Sequence, residues 1–232
     1  MDTVEIKPVL ATDESLQGYG YLVRNPKDYT TAKKTFEIVP WPVQGWRQLD
    51  PDTGDEAGTT EGCFTVRWQG DFYYSKNFAV ATSNNSYLDG IAAMPEIATH
   101  EDRERTTAEE TIHLWMSDYH PDGGQLFWPM GKTQQQEEEE EEEEGGGIPF
   151  TVCLGLPSCG DDVTPGDMKA FYVPAGYGLY IHPGTWHNGI YVSRQHAPAS
   201  FLTRQGRVHG RISASWAREF KCLLKISLAP PS

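Results

Sequence analysis

"KAFYVPAGYGLYIHPGTWHNGIYV", residues 169 to 192, contains three short runs rich in aromatic and β-branched residues, KAFYV, GLYIH and HNGIYV, separated by Pro- and Gly-containing breaks. Such side chains pack well on a pleated surface, and Pro and Gly supply the turns between strands. The same alternation of run and breaker recurs outward in CFTVRWQ, FYYSKNFAVATSN, TIHLWMSDYH, QLFWPM, FTVCLGL, ASFLT and CLLKISL. That is the pattern of an antiparallel sandwich or barrel. Helical spacing shows only near residues 100 to 110, and a short helix is expected over residues 12–17, capped by Thr12 or Asp13 and stopped by Gly18 and Gly20. The expected fold class is mainly β: a β-barrel, closed or double-sheeted, with a few short helices.

A chain of 232 residues suits one such domain, 1–232. The formal net charge is −14, and eight of the acids form one run, Glu137 to Glu144. Adjacent like charges repel and bury nothing, so residues 131–147 are expected to be a disordered loop inserted within the domain. Outside that run the acidity is ordinary, which argues against a nucleic-acid surface. The polar stretch over residues 47–62 is expected on the surface. No apolar run approaches the length of a membrane span, and the start MDTVEIKPVL has no leader-like segment, so a cytoplasmic, membrane-free protein is expected. Cys63, Cys153, Cys159 and Cys222 are too sparse for a disulfide framework and are expected as free thiols.

Several polar side chains within these strands carry chemistry. Asp118 and His120 are two apart and share a strand face; after Pro121-Asp122-Gly123-Gly124, Gln125 opens the next strand on the face of Phe127 and Pro129. His182 and His187 flank the Pro183-Gly184 turn, which breaks strand parity and would let both face one cavity. Asp118, His120, Gln125 and His187 would make an N/O ligand set for a divalent metal such as nickel, manganese or zinc, and no organic cofactor is expected. Blander roles stand beside these. His182 is a candidate for packing near Trp186, Gln125 for satisfying a backbone group, and His100 and His113 for structure.

Two of these motifs resemble the cupin signatures. In GYGLYIHPGTWHN, Gly176, Gly184 and His187 match the second signature, with His182 at its usual proline position; DYHPDGGQ resembles the first, with Asp118 in place of a His, His120 kept and Gln125 in place of a Glu. Within the cupins, HPDGGQLFWPM together with KAFYVPAGYGLYIHPGTWHNGIY resembles the ureidoglycolate lyases, over residues 115 to 192, and the opening LQGYGYLV is similar to that family's start.

The resemblance implies a cupin-like lyase, working as a homodimer, that splits the small molecule ureidoglycolate into glyoxylate and urea. A base takes the hydroxyl proton, the carbonyl forms, and an acid protonates the departing nitrogen. His187 and His120 are candidates for base or ligand, and Asp118 for ligand, base or orienter of a histidine. Gln125 and His182 are candidates for substrate contact. Lys76, a cation inside an aromatic run, is the candidate for the substrate carboxylate, with a snorkelling surface role as its alternative. One arginine of RQGRVHGR, Arg204 to Arg211, is a further candidate for that carboxylate. Rival readings are another metal-dependent cupin enzyme, a dioxygenase or isomerase, and a non-catalytic cupin that binds a small acid.

Overall fold

In the computed structural model, which describes residues 1–39, 45–48, 60–69, 72–75, 78–81, 110–130, 147–205 and 211–231, the runs become strands. In chain order they are β1 (Asp2–Ile6), β2 (Val9–Leu10), β3 (Gly20–Val23), β4 (Thr60–Gln69), β5 (Phe72–Ser75), β6 (Phe78–Ala81), β7 (Thr111–Leu114), β8 (Met116–Tyr119), β9 (Gln125–Pro129), β10 (Phe150–Gly155), β11 (Lys169–Val173), β12 (Gly178–Ile181), β13 (Trp186–Tyr191), β14 (Ala199–Gln205), β15 (Ile212–Ser215) and β16 (Cys222–Ser227). Among the described residues two α-helices accompany them, α1 (Pro26–Lys34) and α2 (Trp216–Glu219).

Ten strands form one sheet in the order β1-β16-β7-β6-β5-β4-β14-β9-β12-β3, and six form the other in the order β15-β8-β13-β10-β11-β2. Neither order returns to its first strand. The architecture is therefore a cupin-like jelly-roll sandwich, and of the two forms expected, the double-sheeted one holds in place of a closed barrel. Several consecutive strands change sheet, β7 and β8 across Trp115 alone. The sheets meet through aromatic rings. Phe201 of β14 packs on Phe150 of β10 at 5.4 Å, and Tyr73 of β5 packs on Tyr191 of β13 at 5.5 Å. The Tyr73 hydroxyl also donates to the Ile190 carbonyl at 2.8 Å, so a buried polar tip is satisfied across the core.

Several local expectations change. The helix expected over residues 12–17 is a turn, though the Thr12 hydroxyl does accept from the Ser15 amide at 3.0 Å as a cap would. The run over residues 72–84 contains two antiparallel strands, β5 and β6, and TIHLWMSDYH is split between the two sheets. In the stretch expected on the surface, Arg47 is only 5% exposed. The helical spacing near 100–110, Lys76, and the acidic insertion up to residue 146 lie outside the described residues. All four cysteines are free, as expected. Among the described residues no helix is long and apolar enough to cross a membrane.

Helix α1 was not expected. Its start is set by Asn25, whose side-chain oxygen accepts from the amides of Lys27 and Asp28, and by Pro26 in the first turn; Lys33 and Lys34 suit its C-terminal end. It lies on the outer face of the ten-stranded sheet, where Tyr29 meets Trp128 at 5.7 Å.

Strand β3 closes tightly on β12. A Cβ on Gly20 would lie 1.8 Å from the Tyr180 carbonyl oxygen, a backbone atom that cannot swing away. Gly20→Ala is expected to cost about 3 kcal/mol, at the upper end for overpacking. In a domain of this size that lowers Tm by about 6–12 °C, readable by thermal denaturation. An unchanged Tm would show that β3 can slide.

Candidate active site

The ends of β8 and β12 and the starts of β9 and β13 lie at one end of the sandwich, because the registers Ile181↔Gln125 and His187↔Asp118 bring them level. In β8, Ser117 and Tyr119 face outward. The Ser117 hydroxyl accepts from Trp216 Nε1 at 3.2 Å, and Tyr119 packs on Trp186 at 4.7 Å, whose own Nε1 donates to Gly160. Alternation then turns Asp118 inward, toward the ten-stranded sheet, beside its register partner His187.

His187 is 6% exposed, and its Nδ1 lies 2.9 Å from the Thr185 carbonyl oxygen. A carbonyl only accepts, so Nδ1 carries a proton, and in the neutral form of the ring the lone pair is at Nε2. That Nε2 lies 3.7 Å from Asp118 Oδ1, and the ring of His120 is 5.2 Å away. Arg211 Nη1 stands 3.7 Å from the other Asp118 oxygen. Asp118, His120 and His187 are thus brought together, with the Arg211 cation beside them. The Thr185 carbonyl, which sets the tautomer, left no mark in the sequence beyond its place in the turn.

Gln125 does face inward with Phe127, at this end and on the opposite sheet. Its Nε2 donates to Thr203 Oγ1 at 3.4 Å, and its buried Oε1 finds no partner among the described residues. His182 is placed elsewhere. Leu179 and Ile181 of β12 enter the main core, so Tyr180 and His182 take the outer face, where His182 Nδ1 meets Glu37 Oε2 at 2.9 Å and the Tyr180 hydroxyl donates to the same oxygen at 3.0 Å. The Pro183-Gly184 turn therefore does not direct His182 and His187 into one cavity.

Of the four expected metal donors, Asp118, His120 and His187 are neighbours, and Gln125 lies on the opposite sheet. Among the described residues no group of three or more His, Cys, Asp and Glu side chains is placed to hold an ion, and Gln125 is engaged with Thr203. A cavity of about 330 Å³ does open at the far end of β13, lined by Thr151, Tyr172, Tyr191 and Ser193 among others. It shares no residue with the Asp118–His187 group, and its Glu110 already accepts from the Arg194 amide at 2.9 Å.

A family model described as ureidoglycolate lyase matches residues 74–211. The chain belongs to the ureidoglycolate lyase family. A search of curated proteins finds no match. The matched span takes in Asp118, His120, Gln125, His187 and Arg211, whereas Glu37, Arg47 and Glu219 lie outside it. As a ureidoglycolate lyase the protein is an enzyme that acts on a small molecule and releases urea. This assignment sets aside the dioxygenase, isomerase and non-catalytic readings.

Proposed function

We propose that ureidoglycolate is split at the inner end of β8 and β13, with His187 as general base, His120 as general acid and Arg211 holding the carboxylate. The observation that carries this reading is the Nδ1–H bond of His187 to Thr185, which leaves Nε2 as an acceptor facing the interior next to Asp118. The reaction needs a base at the hydroxyl. His187 Nε2 takes that proton; the oxygen's electron pair forms the glyoxylate carbonyl, and the C–N bonding pair leaves on the ureido nitrogen. His120 supplies a proton to that nitrogen, and urea departs. Asp118, 3.7 Å from the Nε2 that takes the proton, stabilises the imidazolium by its opposite charge.

These steps run through protein groups alone, so removal of metal is expected to leave the rate unchanged. The test is release of urea and glyoxylate from ureidoglycolate by the purified protein, before and after chelation and with nickel, manganese or zinc added back. A rate that disappears on chelation and returns with one metal would replace this reading with one in which Asp118, His120 and His187 are ligands. Absence of release under every condition would reject it. The reading also carries a homodimer, on the strength of the family resemblance, which the mass of the particle in solution would check, and a cytoplasmic location, which cell fractionation would check.

A further inference from the structure

We propose that Arg47 is a positioning residue for this reaction: a clip made by the buried Arg47 with Glu219 and Asp161, on the outer face of the six-stranded sheet, fixes the spacing of Asp118 and His187 on the inner face. The inference rests on the reading of that pair as catalytic.

The clip uses every part of the guanidinium. Arg47 Nε donates to the Asp161 carbonyl at 2.7 Å, Nη1 to the Ser213 carbonyl at 3.1 Å, and Nη1 and Nη2 to the two oxygens of Glu219 at 2.9 and 2.7 Å. The Arg47 backbone amide adds a bond to Asp161 Oδ2 at 2.7 Å. The guanidinium carbon lies 4.2 Å from the Trp46 ring centre and 5.6 Å from that of Trp186. Only a planar fork meets two carbonyls and a carboxylate in this way; a lysine ammonium is a point charge on a flexible stem.

The contacts of the clip fall on the immediate neighbours of the site residues. Ser213 is the register partner of Asp118 on β15. Trp186 precedes His187, Tyr119 follows Asp118, and their rings touch at 4.7 Å. Burial and the Asp161 carboxylate, which accepts from the Tyr119 hydroxyl, push that phenol up to about 12, so it remains a donor. At Glu219 burial pushes the carboxyl up, but the bonds from Arg47 and the Ser215 amide outweigh this and hold it below the usual carboxylate range. The pair is therefore an ionised, hydrogen-bonded brace at neutral pH. Displacement of reacting groups by about 1 Å costs on the order of 100-fold in rate, which is the scale on which such a brace acts.

The test uses the full chain with Arg47→Lys and, separately, Glu219→Gln, assayed well below each variant's Tm. Arg47→Lys is expected to lower kcat by about 10- to 100-fold with KM within about twofold. Glu219→Gln is expected to give a smaller loss in the same direction. The imidazole nitrogen resonances of His187, read by NMR, are expected to show the Nδ1–H form in the parent and a mixture of tautomers in Arg47→Lys. Folded variants with a lowered Tm but the parent's kcat and His187 spectrum would make the clip structural only and overturn the proposal. Should Arg47→Lys fail to fold, Glu219→Gln decides the same question. If the parent itself released no urea, the reaction steps would fall, and the His187 spectrum would still report on the clip.

Discussion

His187→Ala is expected to lower kcat/KM for urea release by about 1,000-fold, within the range by which a positioned acid or base speeds a proton transfer. The imidazole contributes most once the hydroxyl proton is in flight, so the loss falls on kcat and KM moves little. Truncation at a buried position also removes packing and frees the Thr185 carbonyl, so a second substitution separates chemistry from fold. His187→Asn retains a short amide whose N–H can still reach that carbonyl, and it has no group at the position of Nε2. It is expected to regain stability and no activity. Steady-state urea release together with thermal denaturation of both variants checks this. A folded His187→Ala enzyme with near-parent kcat would move the base role to Asp118, the other acceptor at the site, and Asp118→Asn would then carry the large loss.

The parts of this architecture legible in the sequence are those governed by local rules. Strands β10 to β13 are bounded by Pro and Gly at nearly every end, and their residues suit no other element. Asp118 and His120 could be paired by parity because β8 is regular up to its end. Parity fails where a strand changes surroundings without a breaker: nothing between Leu114 and Met116 announces that β7 and β8 enter different sheets. Helix α1 escaped because its only buried residue is Ala32, so it has no apolar stripe; Asn25-Pro26 at its start and Lys33-Lys34 at its end were the available signals. His182 was drawn toward His187 by the turn between them. Its partner is Glu37, 145 residues away, and the parity of β12 sends it outward with Tyr180. Arg47 lies in a polar, Gly- and Asp-rich stretch that reads as surface, and Glu219, which makes its burial tolerable, is 172 residues distant. No periodicity reports a pairing of that range.

Arg211→Met should raise KM for ureidoglycolate by about 10- to 100-fold and change kcat much less, since hydrogen bonds to a charged group contribute about 1.5–3 kcal/mol. The substrate's carboxylate is not altered in the reaction, so the arginine that holds it binds ground state and transition state alike. Arg211→Lys keeps the charge and loses the fork, so its KM should fall between those of the parent and Arg211→Met. Arg211 also stands 3.7 Å from Asp118 Oδ2, and its removal leaves that carboxylate without this cation. A double-mutant cycle with Asp118→Asn separates the two effects, because the part of the Arg211 loss that acts through Asp118 disappears when the acid is already neutral. Inhibition by glyoxylate, which retains the carboxylate and lacks the ureido group, should weaken in parallel with substrate binding; inhibition by urea should not. If kcat falls while KM and glyoxylate inhibition stay at parent values, Arg211 serves the charge state of Asp118, and the substrate carboxylate must be held by another cation.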